Sequence, residues 1–243
     1  MSAPQRIAIW SGPRNISTAL MRSFGSRDDS HVVDEPLYAF FLCESGADHP
    51  GREEILASQP NRWQDVAQEL TGPVPGGAQV FYQKHMAHHL LPSVEKDWMV
   101  GLTHAFLIRE PRAMLTSYSK KREHARLEDL GFPQQVALYK WLEAQGQAPP
   151  VIESRQVLDD PRKALGAFCA ALDLDFQESM LTWKPGIHGT DGVWAGHWYD
   201  AVVKSTGFSP YQPKAVELTP ELEAVAEQAE PCYQFLAARR IRI

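Results

Sequence analysis

The sequence is poor in cysteine: Cys43, Cys169 and Cys232 stand far apart, and an odd number cannot all pair within the chain. That excludes a disulfide scaffold and points to reduced thiols used as small buried hydrophobes in a cytoplasmic protein. Excess positive charge is also missing. Against 30 acidic side chains stand 24 Lys and Arg, a formal charge of −6, so general attraction to nucleic acid or an anionic membrane is not expected and any anion site must be local. No apolar run approaches the ~20 residues that cross a bilayer, and the opening MSAPQRIAIW enters a strand-like run without the apolar core of a secretory signal. Internal repeats, heptads and low-complexity tracts are absent as well. What is present is 243 residues, 44% hydrophobic and 22% charged, the balance of one folded domain over residues 1–243 with a sizeable core.

Short apolar runs alternate with helix-compatible stretches. Arg6 to Trp10, His31 to Val33, Gln79 to Lys84, Ala105 to Arg109 and Pro149 to Glu153 read as strands. STALMRSFGS, LYAFFLCES, the stretch from Pro111, and DPRKALGAFCAAL with its proline in the first turn read as helices. Gly46 to Pro60 and Gly72 to Gly77, rich in turn formers, bracket a helix over Arg62 to Leu70 in an insertion over the sheet. This alternation predicts an α/β fold of three layers around a central parallel sheet, with ligands beyond the carboxyl ends of the strands. The aperiodic stretch from Lys184 to Tyr211, with Trp194, His197, Trp198 and Tyr199, is expected to be a functional loop.

Two segments carry anion chemistry. SGPRNIST lies between a strand and a helix, where free backbone N–H groups and the positive helix terminus attract anions. Arg14 adds a guanidinium fork and Ser17 and Thr18 add hydroxyl donors. It is not a Walker A loop, because Ile16 stands before Ser17 where that motif needs lysine. The plainer alternative is an N-capped helix entry, with Ser17 or Asn15 as cap and Arg14 exposed. LIREPRAMLTSYS places Arg109 at a strand end and Ser117 two helical turns further on, a spacing that lets both face one phosphate. Its alternative is a surface arginine paired with Glu110 or Asp129.

In this order and spacing the two segments resemble the 5′-phosphosulfate loop and the 3′-phosphate motif of the sulfotransferases that use 3′-phosphoadenosine 5′-phosphosulfate (PAPS). PRNISTAL stands in register with that family's PKSGTTWL or PRSGTTLL. QKHMAHHLLP resembles KTHLPxxLLP, which puts His85 on the catalytic histidine, Gln83 on the lysine and Lys84 on the threonine. IHGTDGVW resembles the RKGxxGDW loop, with Gly189, Gly192 and Trp194 matching and Ile187 and His188 in place of the basic pair. VLDDPRKALGAFCAALDL resembles the acidic, proline-containing entry to a late helix, with Ser154 in place of a tyrosine. Together the likenesses cover roughly residues 6–200.

The resemblance implies a P-loop NTPase-like sulfotransferase fold in a divergent branch. It implies PAPS as cosubstrate, bound by Pro13, Arg14, Asn15, Ile16, Ser17, Thr18, Arg109, Ser117 and Gly189, with no metal. Arg14 would neutralise the phosphosulfate. His85 is the first candidate for the base, and Glu35, beside Asp34, is the second. Ile16 replaces a glycine, and a β-branched residue resists φ > 0, so the loop is expected to wrap its anion differently. Lys204 or His188 would stand in for the missing basic pair. The partner is a small-molecule acceptor, hydroxyl or amine, chosen by the insertion and the late aromatic loop, with neither nucleic acid nor membrane involved. Two other functions fit less well: an ATP-dependent phosphotransferase, and a phosphoadenosine-binding protein without turnover.

Remaining groups have plainer readings. His85, His88 and His89 include an i, i+4 pair, but no HExxH pattern or cysteine supports zinc. Trp194, Trp198, Tyr199 and Phe208 either pin the late loop to the core or line an apolar acceptor pocket. The terminal RRIRI reads as a solvated tail.

Overall fold

A computed structural model describes residues 3–119, 125–212 and 217–243. Five strands form one parallel sheet: β1 Gln5–Ser11, β2 Ser30–Asp34, β3 Val80–Met86, β4 Thr103–Ile108 and β5 Val151–Glu153, in the order β2-β3-β1-β4-β5. The helices are α1 Ser17–Gly25, α2 Tyr38–Ser45, α3 Arg52–Ser58, α4 Trp63–Thr71, α5 Pro111–Tyr118, α6 Phe132–Ala144, α7 Ser154–Asp159, α8 Pro161–Ala171, α9 Ala195–Trp198 and α10 Pro220–Ala237.

Alternation along each strand builds the layers, because successive side chains leave a strand on opposite faces. In β1, Ile7 and Ile9 join Leu20, Phe24, Leu165 and Phe168 from α1 and α8 in one core. Ala8 and Trp10 join Leu115, Leu138, Leu222 and Leu236 from α5, α6 and α10 in the other. With both faces covered, β1 is apolar and buried from Ile7 to Trp10, as a parallel sheet requires. A third, smaller cluster joins α2 and α3 to the late segment through Tyr38, Leu42, Ile55, Trp194 and Tyr199.

The five expected strands are all present, with ends differing by one or two residues. The stretch from Gly46 to Pro60, expected to be irregular, contains α3, whose only buried residue is Ile55. A single apolar position gives no period to detect. The terminal RRIRI is not wholly a solvated tail: Arg240 bridges Val151 and the Ile241 N–H donates to the Val151 carbonyl at 2.9 Å. Cys169 is buried and Cys232 half-buried, but Cys43, on α2, is exposed. No described helix is long and apolar enough to cross a membrane.

Candidate active site

A cleft of about 690 Å³ opens beyond the carboxyl ends of β1, β3 and β4 and is roofed by the late segment. The loop between β1 and α1 forms its floor. Gly12 is required there, since a Cβ would come within 2.2 Å of the Leu130 carbonyl oxygen. Asn15 is buried and donates from Nδ2 to the Leu107 carbonyl at 2.7 Å, tying the loop to the end of β4. Arg14 and Ile16 both sit in the left-handed region, at φ 56° and 48°. Ile16 therefore adopts the conformation expected of the glycine it replaces, and the loop keeps its turn despite the β-branched side chain. Strain of this kind costs about 1–3 kcal/mol and persists only where surrounding contacts enforce it.

Ile16 is also the residue preceding the first turn of α1, and no side chain caps that helix. Neither Ser17 nor Asn15 acts as the cap. The first-turn N–H groups, which have no intrahelical acceptor, are left for a ligand. Pro13, Arg14, Asn15, Ile16, Ser17 and Thr18 all line the cleft.

Arg109 and Ser117 line the same cleft. Arg109 Nη1 donates to the Arg14 carbonyl at 2.6 Å, and Arg14 Nε donates to Ser117 Oγ at 3.1 Å, with Nη1 reaching the Trp198 carbonyl at 3.5 Å. Among the described residues Arg109 forms no ion pair with Glu110 or Asp129. Glu110 instead caps α5, accepting from the N–H groups of Arg112 and Ala113. Burial lowers the pKa of both arginines; Asp200 opposes the shift at Arg14, while at Arg109 the opposing fields of Tyr211 and Glu110 are met by the like charge of Arg14. Two partly desolvated like charges held side by side in one cleft favour an anion with more than one charged group.

The opposite wall is acidic and buried. Asp34 ends β2, and Glu35 turns back toward the cleft through φ 42°. Lys84 of β3 is fully enclosed and donates to Asp34 Oδ1 at 2.7 Å, to Glu35 Oε1 at 2.5 Å and to the Tyr199 hydroxyl at 2.9 Å. Tyr199 donates to Asp34 Oδ2 at 2.6 Å, and the Gly192 N–H donates to the same oxygen at 3.1 Å. Gly192 is itself obligatory, because a Cβ would strike the Trp194 ring. Burial penalises the Lys84 charge, but the two carboxylates outweigh it and hold the ammonium pKa well above its ordinary value. For Glu35 burial wins over the attraction of Lys84, and its pKa is raised. Glu35 Oε2 makes no bond to Lys84; His89 Nδ1 stands 4.0 Å from it.

His85 is placed elsewhere. Lys84 and Met86 line the cleft, and alternation turns the residue between them to the other face of the sheet. There the His85 ring stacks on Trp10 with centroids 4.2 Å apart, and Trp10 Nε1 donates to His104 Nδ1 at 3.0 Å. Burial, with His104 and Lys84 nearby, pushes the His85 pKa down to about 3. The cleft-facing imidazoles are His49, His88 and His89, with His89 stacked on Tyr38 and on Phe41. His85 lies on a strand and His89 in a turn, so they do not share a helical face. Among the described residues no group of three or more His, Cys, Asp or Glu is placed to hold a metal.

Gly189 is also apart from the cleft. It lines a separate pocket of about 380 Å³ with Arg22, His31, Trp183, Lys184 and His188. Lys204 does not line the cleft, and His188 binds the Lys184 carbonyl. Of the late aromatics, Trp194 is buried and pins the segment, whereas Trp198, Tyr199 and Phe208 line the cleft. Sequence reasoning gave Lys84 and His89 no part in sulfuryl transfer and took Tyr199 only as a pin for the late loop or part of an acceptor pocket. Strand alternation from Met86 finds Lys84, but no local signal pairs Tyr199 with Asp34 across 165 residues.

The sulfotransferase domain family matches residues 5–240. Two curated relatives from Arabidopsis thaliana, branched-chain-amino-acid aminotransferase-like proteins 1 and 2, are 38% identical over 238 residues and 36% identical over 231 residues. These matches cover 97% and 95% of this chain but 42% and 41% of the relatives, so the chain spans about two fifths of their length. Among solved structures, a sulfotransferase from Alicyclobacillus acidocaldarius aligns with a TM-score of 0.55 at 16% identity, covering 98% of this chain and 96% of that one. A sulfotransferase domain from the curacin biosynthetic pathway aligns at 0.51 and 15% identity, covering 95% and 99%. At these identities the structural likeness speaks for the fold.

Proposed function

The chain belongs to the sulfotransferase family, and from that premise we propose that it moves a sulfuryl group from PAPS to a hydroxyl or amine of a small-molecule acceptor. The observation that carries this reading is the meeting of Arg14 and Arg109 in one cleft. PAPS fits that arrangement because it carries anionic groups on both the 5′ and 3′ sides of one nucleoside. Arg14, the N–H groups opening α1, Ser17 and Thr18 hold the 5′-phosphosulfate, and Arg109 with Ser117 holds the 3′-phosphate.

Glu35 is the better base of the two candidates. It faces the cleft, keeps Oε2 free of Lys84, and has a pKa raised by burial, which makes it a stronger proton acceptor than an ordinary carboxylate. His85 is enclosed behind the sheet. As the acceptor oxygen or nitrogen bonds to sulfur, the bond from sulfur to the phosphate oxygen breaks, Glu35 takes the acceptor proton, and adenosine 3′,5′-bisphosphate departs with its new charge against Arg14. Tyr38, Phe41, His89 and Trp198 form the acceptor side. The reading extends to residues 5–240 as one unit; the activity of the longer relatives is a separate matter.

Calorimetry tests the nucleotide, and turnover of labelled PAPS across an acceptor library tests the transfer. Adenosine 3′,5′-bisphosphate is expected to bind without Mg²⁺ and to compete with PAPS. Preference for ATP with Mg²⁺ would contradict the reading and favour a phosphotransferase. Binding without transfer to any acceptor would leave a phosphoadenosine-binding protein.

A further inference from the structure

The cluster opposite the arginines holds three charged groups, and its hydrogen bonds are unequally divided. Asp34 receives three donors: Lys84 Nζ at 2.7 Å, the Tyr199 hydroxyl at 2.6 Å and the Gly192 N–H at 3.1 Å. Glu35 receives Lys84 at 2.5 Å, with the Tyr199 hydroxyl a distant 3.5 Å away. Tyr199 has one proton to give, and its nearest acceptor is Asp34. Its oxygen in turn accepts from Lys84 at 2.9 Å and from Trp194 Nε1 at 3.0 Å, so the hydroxyl is saturated.

One ammonium cannot neutralise two carboxylates, so one of them is the natural place for an added proton. Hydrogen bonds to the ionised form favour it, and with Asp34 taking three donors against one close donor for Glu35, Glu35 is the carboxylate left to exchange a proton. We infer that Tyr199 is a positioning residue for proton transfer: by donating to Asp34 it assigns the exchangeable proton to Glu35, which lines the cleft. This rests on the reading of Glu35 as the base. The groups facing Glu35 are Asp34 from β2, Lys84 from β3, His89 from the turn after β3 and Tyr199 from the segment after α9. Tyr82 and the Arg22–Asp191 pair act on the same cluster from behind. Tyr199 belongs to the segment whose Trp198 carbonyl meets Arg14, so the base and the roof of the cleft are assembled together.

Tyr199→Phe removes the donor and keeps the ring. The cluster then holds its excess negative charge less well, and Glu35 takes up its proton at higher pH. The acid limb of kcat/KM for sulfuryl transfer is expected to move up by about one pH unit, the effect of losing one hydrogen bond to a charged group. Affinity for adenosine 3′,5′-bisphosphate should stay within about twofold, because Arg14 and Arg109 are untouched. A second readout does not depend on turnover: ¹³C NMR titration of the Glu35 carboxyl, identified by its loss in Glu35→Gln, should show the same upward movement. If the wild type transfers no sulfuryl group but the carboxyl midpoint moves, the functional reading fails and the role of Tyr199 stands. An unmoved midpoint in folded Tyr199→Phe overturns that role. Should Tyr199→Phe not fold, Trp194→Phe is measured instead; it weakens the same hydroxyl by removing its indole donor and should move the midpoint upward by less. No movement there overturns the inference equally.

Discussion

Neighbouring residues of one strand can have opposite fates, and Lys84 and His85 show it. Anchoring on LLP in the sequence puts His85 at the catalytic position, but the pleat of β3 gives Lys84 to the cleft and His85 to the core. Two substitutions separate them. Glu35→Gln should lower turnover by about 10²–10⁴-fold, the usual contribution of a general base, and abolish the acid limb of the pH profile. That limb has a fixed sign: activity is present above the raised pKa of Glu35 and is lost as pH falls through it. His85→Ala should keep the limb in place and instead cost about 2–4 kcal/mol of stability, because it opens a cavity beside Trp10. Steady-state rates against pH and urea denaturation of both variants check this. An acid limb lost in His85→Ala and kept in Glu35→Gln would reverse the assignment. Arg14, Arg109 and Ser117 were legible in the sequence because strand-to-helix junctions announce themselves locally. Lys84 and Tyr199 were not, since a buried ion cluster is built from segments that share no spacing.

At the scale of elements, the sequence disclosed what periodicity and turn chemistry can carry. The five strands and the helices that follow β1, β4 and α7 were readable, because each has an apolar period and a proline, glycine or polar entry. Helix α3 was hidden by having one buried residue, and the edge pairing of Arg240 and Ile241 by lying in a charged run. The junction of β1 and α1 held a conflict: the resemblance asks for glycine at a position where the chain has Ile16. The backbone there keeps φ 48°, while the side chain packs against the core of α1 and α8. Relief of left-handed strain therefore opposes loss of packing. Ile16→Gly is expected to be at least as stable as Ile16→Ala, reversing the usual preference for alanine over glycine of about 1 kcal/mol near helices. Urea midpoints of the two variants decide it, and a glycine variant less stable than the alanine variant would show that the loop changes its turn.

The whole molecule is organised so that charges of opposite sign meet across one cleft at the carboxyl ends of a parallel sheet. Arg14 comes from the end of β1, Arg109 from the end of β4, and Glu35 and Lys84 from the ends of β2 and β3, while the late segment supplies Tyr199 and closes the roof. The sequence −6 charge gives no hint of this local concentration of cations, because it averages over a surface on which acidic residues predominate. Nor does it distinguish the cleft from the second pocket, where Gly189 lies.

The account turns on two arginines serving opposite ends of one nucleotide, and Arg109→Ala tests that most directly. Calorimetry should find adenosine 3′,5′-bisphosphate weakened by about 10–100-fold, the loss of a charge-assisted contact, while adenosine 5′-phosphosulfate, which lacks the 3′-phosphate, binds nearly as before. Equal losses for both ligands would contradict it.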